Sequence, residues 1–448
     1  MRRIWLAGRT LFRAPLVTAV AIVSLALGIG ANVAIFSLFE QLLLRPLPVH
    51  QPERLVNLLA PGPKPGSQSM NEAGNSDSVF SYPMFRDLQR RQTSFTDVAA
   101  HRQFDANLAY RGRTLSGEGM LVSGSYFPVL GVQPALGRLL GPDDDRTLGG
   151  QFAVVLSHAF WHERLGADPR VIGAALVVNG HPLTIVGVTP RGFEGTTLGT
   201  RPHVFVPITL RTQMQPGWKG FDDRRSCWVY LFARLRPGLT LDRAATALNV
   251  PYRAVITGVE VPLQKGMSDQ TLARFKARQI ALEDGRRGQS TVDREARQPL
   301  VFLLSVTAIV LLIACVNIAN LLLARGAARS TEMAVRLSLG AGRWQLVGQL
   351  LLEAGILALM GGAAGLLVAT WTLSGISAML PLEAASSFTP DISSPVLVFA
   401  AVISMVTGLA FGLFPGSRAP GRISCRPSRG RPGNRRGRVP RRGCARRS

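Results

Sequence analysis

Lysine is scarce in this sequence: among 448 residues the only lysines are Lys64, Lys219, Lys265 and Lys276. They are followed by Pro, Gly, Gly and Ala. A P-loop needs Gly-Lys-Ser/Thr, because its lysine has to reach the β- and γ-phosphates of a nucleotide. The sequence therefore contains no P-loop, and any use of ATP requires a nucleotide site on another chain.

Cysteine is scarce as well, with four residues that show no C-x-x-C spacing. Only Cys227 falls between residues 40 and 298, so no disulfide can form within that region. Zinc sites built on paired cysteines are excluded for the same reason. A fold in this region must rest on its apolar core.

Charge is absent from long stretches of the chain, and only 17% of all residues are charged. A helix needs about 20 apolar residues to cross a bilayer. Uncharged stretches of that length predict membrane helices at 14–39, 299–324, 346–380 and 392–415, with Glu353 as the one ionisable residue near a membrane end.

Arginine in the flanks of these stretches predicts the orientation. Four arginines precede the first stretch, four lie in the loop 325–345, and none lies in 381–391. We therefore expect the N-terminus, the loop 325–345 and the C-terminal tail in the cytoplasm, and residues 40–298 outside. Residues 1–13 have apolar and arginine faces, which predicts an interfacial helix. Simple flanking charge explains the same residues equally well.

Residues 40–298 have the pattern of a mixed α+β domain. Asn179-Gly180 predicts a hairpin within 175–188, and apolar runs at 152–156 and 228–235 predict further strands. Helices are predicted from Ser157 to Leu165, ending at Gly166, and over 240–256. The fold class is therefore an α+β membrane protein, with four membrane helices and this large domain between the first and the second.

Catalytic and metal-binding patterns are weak in this domain. His158 and His162 are four residues apart, but Ala159 stands where the HExxH motif has Glu. The run 143–145 consists of aspartates without EF-hand spacing, and we expect a solvated loop there. Ser123-Gly-Ser is not a nucleophile elbow. We therefore expect no enzyme activity, no cofactor and no metal.

The loop between the second and third predicted helices carries the most specific motif. It follows the pattern R-x-x-E-[MI]-A-[VI]-R-x-x-[LM]-G-A, with Arg329, Glu332, Arg336 and Gly340 at defining positions. This motif resembles the FtsX-like permease domain of MacB-type ABC transporters. Stretches 82–88, 122–138 and 155–193 are similar to the periplasmic core domain of that family, and the chain looks like the first half of a duplicated, acidobacterial-type orphan permease.

The resemblance implies a permease subunit that passes movement across the membrane when a separate ATPase hydrolyses ATP. The ATPase would bind the loop at a coupling site that we assign to Glu332, Met333, Arg336, Leu339, Gly340 and Arg343. Glu332 and Arg336 have the i, i+4 order of a favourable helical ion pair. A positive-inside loop without a partner is the alternative.

The resemblance also implies partners and a location. We expect membrane lipid, a second copy or a second permease half, and a periplasmic adaptor as partners, but not nucleic acid. The location is the inner (plasma) membrane. The alternative function is control of a periplasmic or cell-wall enzyme without transport, and a truncated chain without function is a further alternative.

Two further features concern the membrane helices and the tail. Asn317, Asn320, Gly361, Gly362 and Gly365 are predicted to make contacts between helices. The tail 416–448 holds 12 arginines and no acid, with almost no large aliphatic residue. Such a segment cannot bury a core, and we expect out-of-frame translation; a native tail that binds anionic lipid or nucleic acid is the alternative.

Overall fold

A computed structural model describes residues 15–328, 343–379 and 392–417 of the chain. The helices are α1 (Pro15–Phe39), α2 (Tyr82–Arg91), α3 (Tyr126–Leu130), α4 (His158–Arg164), α5 (Arg211–Met214), α6 (Leu241–Val255), α7 (Asp269–Lys276), α8 (Val292–Ala328), α9 (Arg343–Met379) and α10 (Ser394–Ser417). The strands are β1 (Leu55–Leu59), β2 (Ser67–Gln68), β3 (Val79–Phe80), β4 (Phe95–Tyr110), β5 (Arg113–Val122), β6 (Leu136–Gly137), β7 (Ala153–Leu156), β8 (Ala175–Val178), β9 (His181–Val188), β10 (Val204–Pro207), β11 (Ser226–Cys227), β12 (Val229–Leu235) and β13 (Ala281–Asp284).

Within the described residues, three helices are long and apolar enough to cross a membrane, over Pro15–Leu44, Ala296–Leu321 and Leu351–Met379. They overlap the first three predicted spans. The first includes a π-helical turn, Glu40–Leu44, that continues α1. Helix α10 covers the fourth predicted span, but its described apolar part, Ser394–Ala410, is shorter. The fourth span therefore stays a prediction.

Small residues let α1 lie against α9. A methyl group added to Gly365 would lie 3.2 Å from the backbone nitrogen of Gly30, and one added to Gly361 would lie 2.6 Å from Cβ of Leu25. Gly362 faces Ser404 of α10 in the same way. The predicted packing role of the three glycines is confirmed, because backbones this close leave no space for a side chain.

The two asparagines predicted to pack, Asn317 and Asn320, are instead exposed on α8. That prediction was wrong within this chain, because both side chains point away from the neighbouring helices. A polar contact between membrane helices is made by Asn32 of α1, which is buried. Its amide donates to the carbonyls of Gly28 at 2.8 Å and Thr307 at 2.9 Å.

Residues 45–291 form a β-rich region around one large mixed sheet, whose main strand order is β13-β1-β12-β4-β5-β10-β7-β9-β6. Strand β12 is buried along its full length and pairs antiparallel with β1 and β4. Parallel pairs join β10 to β5 and β9 to β7. The predicted mixture of strands and helices is therefore confirmed.

Local signals in the sequence place several elements correctly. Asn179 and Gly180 have φ of 48° and 84°, which is the left-handed pair that a tight hairpin between β8 and β9 needs. The Ser157 hydroxyl accepts from the backbone nitrogen of Phe160 and caps α4. Thr240 caps α6 in the same manner.

The aspartate run 143–145 differs from the solvated loop expected. Asp143 is exposed, but Asp144 and Asp145 are buried. The guanidinium of Arg138 binds Asp144 at 2.7 Å. Asp145 accepts from the backbone nitrogen of Gly124 at 3.2 Å and lies 3.6 Å from Arg86. Arg138 is close to Asp144 in sequence, but Arg86 is far from Asp145, and no sequence pattern predicts either pair.

Burial raises the pKa of Asp145 from 3.8 to about 6. The charged carboxylate therefore costs the folded state on the order of 3 kcal/mol. Because the pKa of Asp145 is higher in the folded state than in the unfolded chain, the carboxyl group favours the folded state when it is protonated. This stabilisation is fully present below about pH 4 and is lost as the pH rises through 6. We expect the stability of Asp145→Asn relative to wild type to improve between pH 4 and pH 7.

Thermal unfolding in detergent measures this difference, and the exposed neighbour gives the control. Asp143→Asn should show the same difference from wild type at both pH values, since its side chain is 82% exposed. A stability difference for Asp145→Asn that stays constant from pH 4 to pH 7 would contradict a buried carboxylate with a raised pKa.

Candidate functional site at the membrane junction

The coupling site predicted from the sequence lies almost entirely outside the described residues. This holds for Glu332, Met333, Arg336, Leu339 and Gly340, and for the side chain of Arg343, the residue that begins α9. The site stays a prediction. What the structure does describe is where α1 and α8 meet the β-rich region.

The two chain connections at this junction are bound to each other. One leaves α1 through the turn Glu40–Leu44, and the other, 285–291, leads into α8. The backbone nitrogen of Leu47 donates to the carbonyl of Arg286 at 2.8 Å. The guanidinium of Arg287 donates to the carbonyl of Leu43. Two connections that are far apart in sequence therefore enter the β-rich region as a pair.

The connection 285–291 is also fastened to the sheet. The backbone nitrogen of Gly285 donates to the carbonyl of Leu55 at 2.9 Å, and the Asn57 amide donates to the carbonyl of Gly288 at 2.7 Å. Gly288 has φ of 82°, a conformation that favours glycine. A methyl group there would also collide with the carbonyl of Thr196. The positive φ and the lack of space for a side chain both favour glycine at position 288.

Gln289 anchors this connection inside the core, where its side chain is buried. Its amide nitrogen donates to the carbonyl of Leu231 in the central strand β12 at 2.9 Å. Its amide oxygen lies 2.6 Å from Nε2 of His101 on β4. Its backbone binds Thr196 and Leu198. One residue, three positions before α8, therefore joins two central strands and a loop.

His101 is a neutral donor in this arrangement. It is fully buried, and burial lowers its pKa from 6.5 to about 4. Since Gln289 presents its oxygen to Nε2, that nitrogen carries the proton and donates. The contact is thus a neutral hydrogen bond that does not change between pH 5 and pH 8.

The membrane end of the junction is fixed by side chains of α1. Asn32 binds α8 through Thr307, as described above, and the Thr307 hydroxyl donates to the Asn32 side-chain oxygen at 3.2 Å. One turn further, Phe36 stacks on Phe399 of α10 with ring centroids 4.1 Å apart. Helix α1 therefore binds α8 and α10 just below the junction.

The junction is held by neutral hydrogen bonds and by ring packing. In the part of the chain that the structure describes, no group of three or more His, Cys, Asp or Glu side chains is arranged to hold a metal. His158 and His162 lie side by side on α4, with ring centroids 5.9 Å apart. Sequence analysis did not predict the contacts of the junction, because Gln289 and Asn57 belong to no recognisable sequence motif.

Two family profiles match most of the chain. The MacB-like periplasmic core domain matches residues 18–249, and the FtsX-like permease C-terminal domain matches residues 304–420. The first match covers more than half of the chain, and the second includes the loop between α8 and α9.

Curated relatives carry the name of the same family. The chain is 23% identical over 315 residues to the macrolide export ATP-binding/permease protein MacB of Neisseria meningitidis, covering 70% of this chain and 43% of that protein. It is 24% identical over 338 residues to MacB of Burkholderia thailandensis, covering 75% and 45%. The chain thus spans less than half the length of these relatives. The periplasmic region of MacB from Actinobacillus actinomycetemcomitans aligns with a TM-score of 0.34 and 15% identity, over 45% of this chain and 84% of that structure.

The two family matches together define a membrane permease component of the ABC type. More specifically, the chain belongs to the MacB/FtsX-like family of ABC transporter permeases. The resemblance seen in the sequence is confirmed.

Replacing Gln289 with alanine should loosen the junction. Gln289→Ala leaves the Leu231 carbonyl and His101 Nε2 buried without a partner and opens a cavity, which costs about 2–4 kcal/mol. Thermal unfolding and hydrogen exchange at residues 196–198 measure the effect. Arg286→Ala is the control, because it removes an exposed pair with Asp284 worth about 0–1 kcal/mol. Equal effects of the two changes would show that Gln289 does not anchor the junction.

Proposed function

We propose that this chain is the permease subunit of an ABC-type efflux or mechanotransmission system and works with a separate ATPase. The observation that carries the proposal is the FtsX-like match over 304–420, which includes the loop between α8 and α9. None of the four lysines of this sequence lies in a P-loop, which favours a nucleotide site on a separate ATPase.

The loop between α8 and α9 is the proposed binding site for the ATPase. Glu332 and Arg336 would form an ion pair one helical turn apart, and Leu339 would add an apolar contact on the same side. Gly340 would end this short helix. A short helix with apolar knobs and a fixed charge pattern fits a groove in a partner protein. Met333 and Arg343 complete the proposed contact.

Contacts of the described residues offer a route from this loop to the β-rich region. Helices α8 and α9, which flank the loop, both pack on α1. The connection 285–291 leads directly into α8, which begins at Val292, and α1 enters the same junction through Leu43 and Leu47. A displacement of the loop would therefore shift α8, α1 and the β-rich region together.

The proposed arrangement in the membrane follows from the arginine pattern. We place the two termini and the loop 325–345 in the cytoplasm and the β-rich region in the periplasm, with α10 as a fourth span. The permease would act as a homodimer or with a second permease half, and a periplasmic adaptor would bind the β-rich region.

Co-purification tests the proposed coupling site. Arg336→Glu places two like charges one helical turn apart and reverses a charge in the contact, so the variant should lose an ATPase that the wild type retains from native membranes. Arg325→Glu is the control, because it makes the same charge change in the last turn of α8, next to the loop but outside the proposed contact. The same experiment tests orientation, since only a cytoplasmic loop can meet an ATP-hydrolysing subunit.

Retention of the ATPase by Arg336→Glu at the wild-type level would contradict the assignment. Equal loss in both variants would show a general effect of positive charge in the loop rather than a defined contact.

A further inference from the structure

A small cavity lies in the β-rich region, between β3, β11 and the helices α6 and α7. It offers about 30 Å³ to groups the size of a water molecule, and one water needs about 10–15 Å³. Its floor consists of buried apolar side chains, whereas its rim, with Pro65, Gln264 and Arg278, is half-buried. The cavity therefore opens to the surface and has room for one group of a few atoms. We call it the Lys64 cavity.

Two cations line the Lys64 cavity, and aromatic rings hold both in place. Lys64 is only 8% exposed, and its ammonium lies 5.4 Å from the ring centroid of Phe80. The guanidinium carbon of Arg278 lies 5.5 Å from the ring centroid of Phe275. Such contacts stabilise a cation over the face of a ring. Burial, followed by the charge of Arg278, lowers the pKa of Lys64 from 10.5 to about 8. Both side chains are therefore charged at pH 7, and they repel each other.

Each cation has a hydrogen-bond donor to spare. The Lys64 ammonium has three N–H donors, and it uses two of them, on the carbonyls of Ser76 and Val79. Arg278 donates from Nη2 to the carbonyl of Ala60 at 3.1 Å, but its Nε is buried and has no partner among the described residues. A buried donor without an acceptor costs free energy. One acceptor group that reaches both side chains would remove this cost.

The carboxylate that lines the cavity has a different partner. Glu260 accepts through Oε1 from Nη1 of Arg224 at 3.2 Å, and Nη2 of Arg224 binds Asp87 at 2.7 Å. This group of three charges is bonded within itself. No hydrogen bond in the described part of the chain joins Glu260 to either spare donor.

The thiol of Cys227, which also lines the cavity, reports the balance of charge inside it. Burial raises the pKa of this thiol, whereas Lys64 and Arg278 each lower it by more than Glu260 raises it. The positive charges therefore outweigh the negative ones at the sulfur atom. A site with this balance favours an anion over a neutral group.

We propose that the Lys64 cavity binds one small carboxylate, held between the Lys64 ammonium and Nε of Arg278 and beside the Cys227 thiol. A carboxylate accepts hydrogen bonds and donates none, so its two oxygens match the two spare donors. Hydrogen bonds between charged groups are also stronger than those between neutral groups, so water or an uncharged amide would gain less. The site is separate from the proposed coupling loop and does not depend on it.

Alkylation of Cys227 measures occupancy, because the thiol lines the cavity. The full chain with Cys315, Cys425 and Cys444 changed to Ser keeps this thiol alone. Iodoacetamide is applied at pH 7 with either acetate or acetamide, which has the same shape without the charge, and chloride balances the ionic strength. By mass action, acetate at ten times its dissociation constant should slow the reaction about 10-fold. Acetamide should leave the rate unchanged.

Variants of the two cations locate the ligand. Arg278→Met removes one of its partners and should raise the half-protecting acetate concentration about 10-fold or more, and Lys64→Met should raise it as well. Arg274→Met is the matched control, because it removes the same charge from an exposed position on α7, and it should leave protection unchanged. Thermal unfolding without acetate shows whether each variant is folded.

Equal alkylation rates with acetate and acetamide would overturn the proposal, since the cavity would then hold water or a neutral group. This comparison leaves the cavity intact, so it decides the question even where a variant does not fold. Undiminished protection by acetate in folded Arg278→Met would overturn it too.

N-acetylglycine separates two sources of the carboxylate. Stronger protection by N-acetylglycine than by acetate would assign the carboxyl end of a peptide chain. Equal or weaker protection would assign a free small acid.

Discussion

The contact on which the structure depends is the pair of hydrogen bonds made by the buried side chain of Gln289. It joins β12 and β4 at the centre of the sheet, and it lies three residues before α8 begins. A flexible linker at this point would let the membrane helices move without the β-rich region. A buried amide with two partners removes that freedom, because each partner would be costly to leave unpaired.

The other contacts at the junction have the same effect. Arg287 and Leu47 tie the two chain connections together, and the Asn32 contact repeats that link one level lower, inside the membrane. The close approach of α1 and α9 at Gly30 and Gly365 adds the third helix to this unit. Under the proposed function, work done in the cytoplasm would reach the β-rich region through this continuous connection.

Sequence analysis succeeded where the signal is local. Uncharged stretches located the helices, Asn179-Gly180 located the hairpin, and serine and threonine caps located α4 and α6. The family motif, too, consists of consecutive residues. Each of these features depends on backbone conformation or on transfer into lipid, and both are decided over a few neighbouring positions.

Features that depend on distant partners were missed. An arginine is expected on the surface, yet Arg211 is buried. Its guanidinium carbon lies 4.0 Å from the ring centroid of Trp218 and 4.1 Å from that of Trp228. Asp145 and Gln289 are buried for the same kind of reason. The coupling site differs again: its prediction rests on a motif, and the residues concerned lie outside the described part of the chain.

The central claim is that α1 and the β-rich region move as one unit. The most direct measurement is the distance between spin labels at Leu27 on α1 and Val250 on α6, both exposed positions, with and without the ATPase and ATP. A single narrow distance that stays the same in both states is the predicted result. A broad or shifting distance would show that the junction is a hinge and would contradict the account.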